Sequence, residues 1–327
     1  MTEAEFEALV SEAMLAPSAH NTQPARWSRD GDTILVSADL SRRLPVGDPD
    51  DRDLHISCGA AVEGTVLALA TRAMGASVTW SNEPDSGKMR PIARVTLEER
   101  PDPDDVRLAS FVSVRTTHRT GFMPVSADAL AGWEAPCLTL IREANDLAWL
   151  GRQIDIASAA IMRDKAFRKE LLTWMRLKRS EPRYHSDGLN ADVLAMDRVT
   201  AALVRPILGS YLYDLLAVLG FGPALSGEAK VSQSGGAIAL FHWPEGQSHL
   251  EAGRAFYRLW LDATSRGLAG WPAAALADHP ETRISVSSQT GIPPGRVLLN
   301  ALRIGVPKGR TPDRSRLSVK DVIEHRL

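Results

Sequence analysis

Two long helical stretches, each set among strands, constrain this chain more than any other feature. The first runs from about His55 to Met74 and the second from Leu250 to Arg266. Each is entered near a Gly-x-Ala, Gly59-Ala-Ala61 and Gly253-Arg-Ala255, and each stops at a glycine, Gly75 and Gly267. Glycine ends a helix because it takes the left-handed conformation without a Cβ penalty. Strands at Thr33–Ala38, Ala76–Trp80 and Ile92–Glu98 accompany the first helix; Ala237–Trp243 and Val297–Ile304 accompany the second. This weak self-similarity predicts an α+β protein made of two fused related units, an intramolecular pseudo-dimer. Chance similarity is the competing reading.

The boundary falls at residues 99–106, Glu-Arg-Pro-Asp-Pro-Asp-Asp-Val, where two prolines and clustered charge mark an exposed linker. The expected units are 1–105 and 106–327. Phe6, Leu9, Val10 and Met14 recur at helical spacing over 4–15, and Pro17 ends that helix. Further helices are expected at Val106–Ser113, 145–163, 165–179 and 190–218.

Composition removes several functions. Of 327 residues, 44% are hydrophobic, enough for a sizeable core. The 38 basic residues nearly cancel the 40 acidic ones, which argues against nucleic acid as a partner. Cys58 and Cys137 form no Cys-x-x-Cys, so zinc ribbons and dithiol redox pairs are excluded. The eight histidines show no metal spacing; His118, His185 and His242 stand alone. Met1 to Val10 carries three Glu and no basic residue, unlike a signal or transit peptide. No apolar run reaches the roughly 18 residues of a membrane span. The expectation is a cytoplasmic protein acting on a small molecule. It has no Rossmann fingerprint, Walker loop or Gly-x-Ser-x-Gly elbow.

Three constellations remain. Arg115-Thr-Thr-His-Arg119 places two guanidinium groups four residues apart, expected on one side of a helical turn with Thr117 between them. Paired guanidinium groups suit a terminal phosphate; a solvated basic turn is the alternative. Pro17-Ser18-Ala-His-Asn21-Thr-Gln23-Pro24 concentrates amide and hydroxyl groups between two rigid residues. These suit a heterocycle or ribityl chain; a turn that satisfies its own backbone is the alternative. The tail, with Lys308, Arg310, Arg314 and Arg316 after Gly305-Val-Pro307, offers another phosphate donor or a solvated basic end.

Together these pieces resemble the nitroreductase superfamily of FMN-binding proteins. The match rests on the Pro17–Pro24 loop, Arg115-Thr-Thr-His-Arg119, Gly267-Leu-Ala-Gly-Trp271, and Ile304-Gly-Val-Pro307 with Arg310 and Arg314. The loop precedes the Arg motif, the reverse of an ordinary member. That order resembles the fused, tandem, Acg-like branch, as do Ser57-Cys-Gly-Ala-Ala61, Trp174-Met-Arg176 and Asp187-Gly188.

The resemblance implies a nitroreductase-like fold and one FMN site per chain, with the other site lost, and a monomer. Arg115, Thr117 and Arg119, completed by Arg314 or Arg310, would hold the phosphate. Ser18, Asn21 and Gln23 would meet the ring or ribityl chain. Backbone at Leu268, Ala269 and Gly270 would face N5, and Arg176 would donate from a facing helix. The implied activity moves a hydride from NAD(P)H to flavin N5 and on to a nitroaromatic, quinone or similar acceptor. The alternatives are a flavin dehydrogenase or dehalogenase acting on one metabolite, and a non-catalytic FMN store or sensor. The last would use residues 174–235, without counterpart in short members, as a lid. Trp27 stands two positions from the family's tryptophan, so direct flavin contact is not expected of it.

Overall fold

The computed structural model describes residues 1–211, 213–214, 236–309 and 313–324. Its helices are α1 (Glu3–Ala13), α2 (Arg52–Ala70), α3 (Pro103–Ala109), α4 (Ala127–Leu130), α5 (Ala144–Arg163), α6 (Lys165–Trp174), α7 (Arg198–Leu208), α8 (His249–Ser265), α9 (Ala275–Asp278), α10 (Pro280–Gln289) and α11 (Val319–Val322). Two antiparallel sheets stand beside the two long helices, α2 and α8. The first has the order β1-β2-β4-β3, formed by Ala25–Asp30, Thr33–Asp39, Gly75–Trp80 (β3) and Met89–Glu98 (β4). The second has the order β10-β11-β9-β6, formed by Ala269–Pro272, Arg296–Pro307, Ala237–Pro244 and Leu138–Ile141; Phe122–Met123 (β5) also pairs with β11.

α2 is apolar on every side, as a central helix must be; every residue from Ile56 to Ala70 is buried. It meets α8 almost backbone to backbone. A Cβ on Gly59 would lie 2.0 Å from the Leu250 carbonyl oxygen, and one on Gly253 would lie 2.2 Å from that of Ile56. The two glycines of the sequence pattern thus face each other's helix. Beside this crossing, fully buried Glu63 of α2 accepts from Arg254 Nε at 2.6 Å and Arg258 Nη1 at 2.5 Å, both on α8. Each helix also serves the other's core. Tyr257 and Leu261 of α8 pack with α1, α2 and the first sheet, while Ile56 of α2 packs with Phe241, Phe256 and Trp260.

The second sheet is covered on both faces, so its central strand is an unbroken buried run. In β9, Ala237, Ala239 and Phe241 face the α8 side, whereas Ile238 and Leu240 face α5, α9 and α10. The first sheet is covered on one face only, and β3 alternates between half-buried and exposed residues after Gly75.

The long elements lie near where periodicity places them, but α2 ends at Ala70 with Thr71 as its C-cap, so Gly75 opens β3 and does not cap the helix. The 190–218 helix is replaced by a short strand, Leu189–Asn190 (β8), paired in parallel with Met175–Arg176 (β7), and by α7. The 165–179 helix ends at Trp174 for the same reason. Strand β1 lies partly within the expected 16–27 loop. It forms a hairpin with β2 across Gly31, whose φ of +58° suits the turn. Met175, Leu177, Tyr184, Ala191 and Ala201 form a small separate core under the 174–211 segment. The C-terminal segment crosses back to the first sheet: Ile323 bridges to Trp27, and Val322 is buried in the first core. No helix among the described residues is long and apolar enough to cross a membrane.

Substituting Gly253→Ala should force the helices apart. Overpacking at a backbone contact costs about 1–3 kcal/mol, more than the roughly 1 kcal/mol of helix propensity alanine gains. The measurement is the urea midpoint, expected to fall, against Glu251→Ala as a control at an exposed position of the same helix.

Candidate functional site

A cavity of about 510 Å³ opens between the two long helices. Asp53, Ile56, Ser57 and Ala60 of α2 and Phe256 and Trp260 of α8 form part of its wall. The helix crossing therefore sets its width. Four further segments close it: the 17–21 loop, the Arg115–Arg119 stretch, Trp271 and Pro272 of β10, and the 313–316 tail.

The Arg115–Arg119 stretch is extended, not the helical turn expected from its spacing. Thr117 bridges to Gly270 in parallel, and the His118 amide donates to the Gly270 carbonyl at 3.0 Å. The strand edge takes the backbone groups that a helix would have used internally. Alternation along extended chain brings Arg115, Thr117 and Arg119 to the cavity. His118 is wholly buried, its Nε2 near Thr120 Oγ1 at 2.7 Å and accepting from the Lys308 amide at 3.2 Å.

One end of the cavity is a pole of buried and half-buried cations. Arg115 is 3% exposed; Nη2 donates to the Leu15 carbonyl at 3.3 Å, while Nε and Nη1 are buried with no hydrogen-bond partner. Its guanidinium lies 4.4 Å from the Trp260 ring centre and 5.9 Å from that of Tyr257. Arg316 reaches the carbonyls of Met14 at 2.8 Å and Leu15 at 3.0 Å, and Asn21 Oδ1 at 3.0 Å. Arg314 donates to the carbonyls of Ser113, at 2.8 Å, and Arg115. Burial lowers all three guanidinium pKa values, Arg115 to about 10 and Arg316 to about 9; repulsion from neighbouring arginines adds to the effect at Arg115 and Arg316. Tyr257 opposes it, and no carboxylate among the described residues does. A cluster of this kind favours an anion.

The opposite end is different. Arg52 Nη2 pairs with Asp53 at 2.8 Å and with Asp278. Burial, reinforced by Asp53, pushes the Asp278 carboxyl up to about 7. His20 stands here with its pKa lowered, first by burial and also by Arg119.

The structure brings Ser18, Asn21, Arg115, Thr117, Arg119 and Arg314 to one cavity. Asn21 and Gln23 spend much of their polar capacity on chain segments. Asn21 Nδ2 donates to the carbonyls of Gly188 and Ser315, both at 3.1 Å. Gln23 Nε2 donates to the Ser186 carbonyl at 2.9 Å, and its Oε1 accepts from the Leu317 amide at 2.9 Å. Ser18 Oγ accepts from the Gln23 amide at 3.0 Å. His20, Asn21 and Gln23 all have positive φ, so the loop keeps its shape through these long-range bonds. Leu268, Ala269 and Gly270 are not in the cavity wall. Leu268 is in the second core, Ala269 pairs with Gly305, and Gly270 holds the Arg-Thr strand. Arg176 is turned away from the cavity. With Arg42, at 2.5 Å, and Arg183, it surrounds the fully buried Asp187, to which it donates at 2.8 Å. Trp27 is buried against Thr65 of α2, donating to its hydroxyl at 2.9 Å. Arg310 lies outside the described residues, as does most of 212–235.

No protein-family model matches the chain. It is 29% identical over 287 residues to a Mycobacterium tuberculosis protein named "Putative NAD(P)H nitroreductase Rv3131", covering 85% of this chain and 78% of that one. It is 24% identical over 300 residues to "Putative NAD(P)H nitroreductase acg" of the same organism, with 88% and 85% covered. Both relatives carry nitroreductase names, which supports the resemblance to that superfamily. Among solved structures, a nitroreductase from Anabaena variabilis aligns with 94% of this chain and 74% of its own at 11% identity, with a TM-score of 0.44. That likeness is too slight to carry an argument about the site.

For this nitroreductase-like chain, sequence reasoning missed several wall residues. Arg316 stood in the basic tail but was not chosen; its many carbonyl partners became visible only once residues 14–16 lay beside it. Trp260 shares a helical face with Phe256, a pattern read as core. Ser57 Oγ, which accepts from the Ala19 amide at 3.1 Å, had no signal beyond its place on α2.

The cation pole generates a prediction. Inorganic phosphate should raise the thermal midpoint, because binding to the native state alone adds stability. Arg115→Met should remove most of that rise with little change in the phosphate-free midpoint. Scanning calorimetry of the wild-type and Arg115→Met proteins, each with and without phosphate, checks it.

Proposed function

We propose that the chain is an FMN-dependent oxidoreductase, with NAD(P)H as donor and a nitroaromatic, quinone or similar small molecule as acceptor. The observation that carries this reading is Arg115: a buried guanidinium with two unpartnered nitrogens, in a cavity that also offers Arg119, Arg314 and Arg316. A phosphate would partner those nitrogens. From that pole the cavity continues along Phe256, Trp260, Trp271 and Pro17, apolar surfaces suited to a planar ring. The names of the relatives support the same reading.

FMN, when bound, supplies the hydride-accepting and hydride-donating ring atom. This chain's own residues position it. Arg115, Thr117, Arg119, Arg314 and Arg316 would hold the phosphate; Ser18 and Asn21 would border the ring or ribityl chain. The 174–211 segment sends Leu189, Val193, Leu194 and Met196 to the cavity and excludes water from that side.

The two sheet-and-helix assemblies support a fused pseudo-dimer with units at 1–105 and 106–327, acting as a monomer. In that arrangement the first unit gives the 17–21 loop and the α2 face, and the second gives the arginines and α8. A second reading, a non-catalytic flavin store or sensor, is favoured by the same covering residues 189–196, which would act as a lid.

Purified protein reconstituted with FMN should be yellow and should bleach anaerobically with NADPH or NADH. Retained colour would favour storage, and failure to take up FMN would remove both readings. Arg115→Ala should weaken FMN binding by about 1.5–3 kcal/mol, the scale of a charge-assisted contact. Quenching of FMN fluorescence on binding measures it; unchanged affinity would refute the phosphate assignment.

A further inference from the structure

A second cavity, of about 530 Å³, lies against the first and shares a wall with it. The shared residues are His20, Asp53, Met196, Pro272, Ala274 and Asp278. Its body runs between α5, α6 and α7, lined by Leu44, Ile161, Met162, Phe167, Leu203 and Ile207 among other apolar side chains. Among the described residues no Lys or Arg lines it; the ionisable groups there are His20, Asp53 and Asp278, all in the shared wall. Ser158 and Thr200 are the other polar side chains of the lining. The volume is that of small-molecule sites, roughly 300–1,000 Å³.

These features select an occupant. An aliphatic body suits the Leu, Ile and Met walls, where only dispersion and apolar burial are on offer. A charged head does not suit the far end. A carboxylate there would meet Asp53 and Asp278 with no cation in the lining, because Arg52 is already engaged with both acids. An ammonium would need Asp278 ionised, whereas burial holds that carboxyl up at about 7. A neutral oxygen acceptor can take a proton-bearing group of Asp278 or His20 at no charge cost.

We infer that the second cavity is the seat of an uncharged, chain-bearing carbonyl compound, its alkyl body between α5, α6 and α7 and its carbonyl at the His20–Asp278 wall facing the first cavity. As the seat of the electron acceptor, the site rests on the flavin reading; as a binding site, it does not. Met162, Met175 and Met196 in the walls adapt to chains of differing shape.

The test is isothermal titration of the full chain, free of FMN, at pH 6 with 2-decanone, 2-pentanone and decanoate. 2-Decanone should bind at least tenfold tighter than either of the others. Ala275→Phe and Ser158→Phe each place a ring into the second cavity from positions that do not line the first. Each should weaken 2-decanone at least tenfold and leave FMN affinity unchanged. If one variant fails to fold, the other and the ligand series on the wild-type chain decide. No binding of 2-decanone, equal binding of decanoate, or undiminished binding in a folded filled variant overturns the proposal. Ketone binding without any FMN uptake would keep the site and remove its role as acceptor seat.

Discussion

The close crossing of α2 and α8 is the constraint on which the rest of the molecule depends. Two glycines remove the Cβ atoms that would otherwise hold the backbones apart, and the buried Glu63–Arg254–Arg258 cluster marks the register. A buried pair of this sort adds little net stability against an apolar substitute, yet breaking it strands a charge and costs about 3–5 kcal/mol. With the helices fixed at that distance, Ser57 and Ala60 face Phe256 and Trp260 across one cavity. Both sheets then pack outward from the pair.

On this frame the chain sets an electrostatic cost. Arg115 is buried and Arg314 and Arg316 are half-buried, with no carboxylate among the described residues raising their pKa values. Most of their hydrogen bonds go to main-chain carbonyls, which satisfy geometry but do not cancel charge. Arg115 is not even satisfied in that sense, and its aromatic neighbours offer only the ring faces. Strain of this kind persists where a ligand removes it. The far end is arranged the opposite way, with acids clamped by Arg52, so the cavity has two unlike ends joined by an apolar wall.

Much of this was legible in residue order. The long helices and most strands follow from periodicity, and Pro17 and Gly267 mark stops, all of which are local signals; Gly75 does not, because α2 has already ended at Ala70. The Arg motif and the Pro17–Pro24 loop announced themselves by density of polar groups. What stayed hidden depends on distant partners. Ala25–Asp30 carries an Arg, a Trp, a Ser and a second Arg in a row, which does not read as a strand. It becomes one because Arg26 is neutralised by Asp39 at 2.8 Å and Trp27 is buried on α2. Arg115 to Arg119 has helical spacing, but the open edge of β10 claims its backbone. Arg176 looked like a ligand donor until Asp187, eleven residues on, folded back beside it.

The tail has a consequence for the order in which the molecule assembles. Residues 313–324 thread between the 14–23 loop and the first sheet, joining Asn21 to Ser315 and Trp27 to Glu324 across nearly the whole chain. Contacts of such sequence separation form late, since loop closure must precede them. The first core can condense around α1 and α2 early in synthesis. The cation pole exists only after Arg314 and Arg316 have arrived. Anion capture at that pole therefore waits on residues 313–316. An anion held there would act as the last tie fastening those residues to residues 14–21.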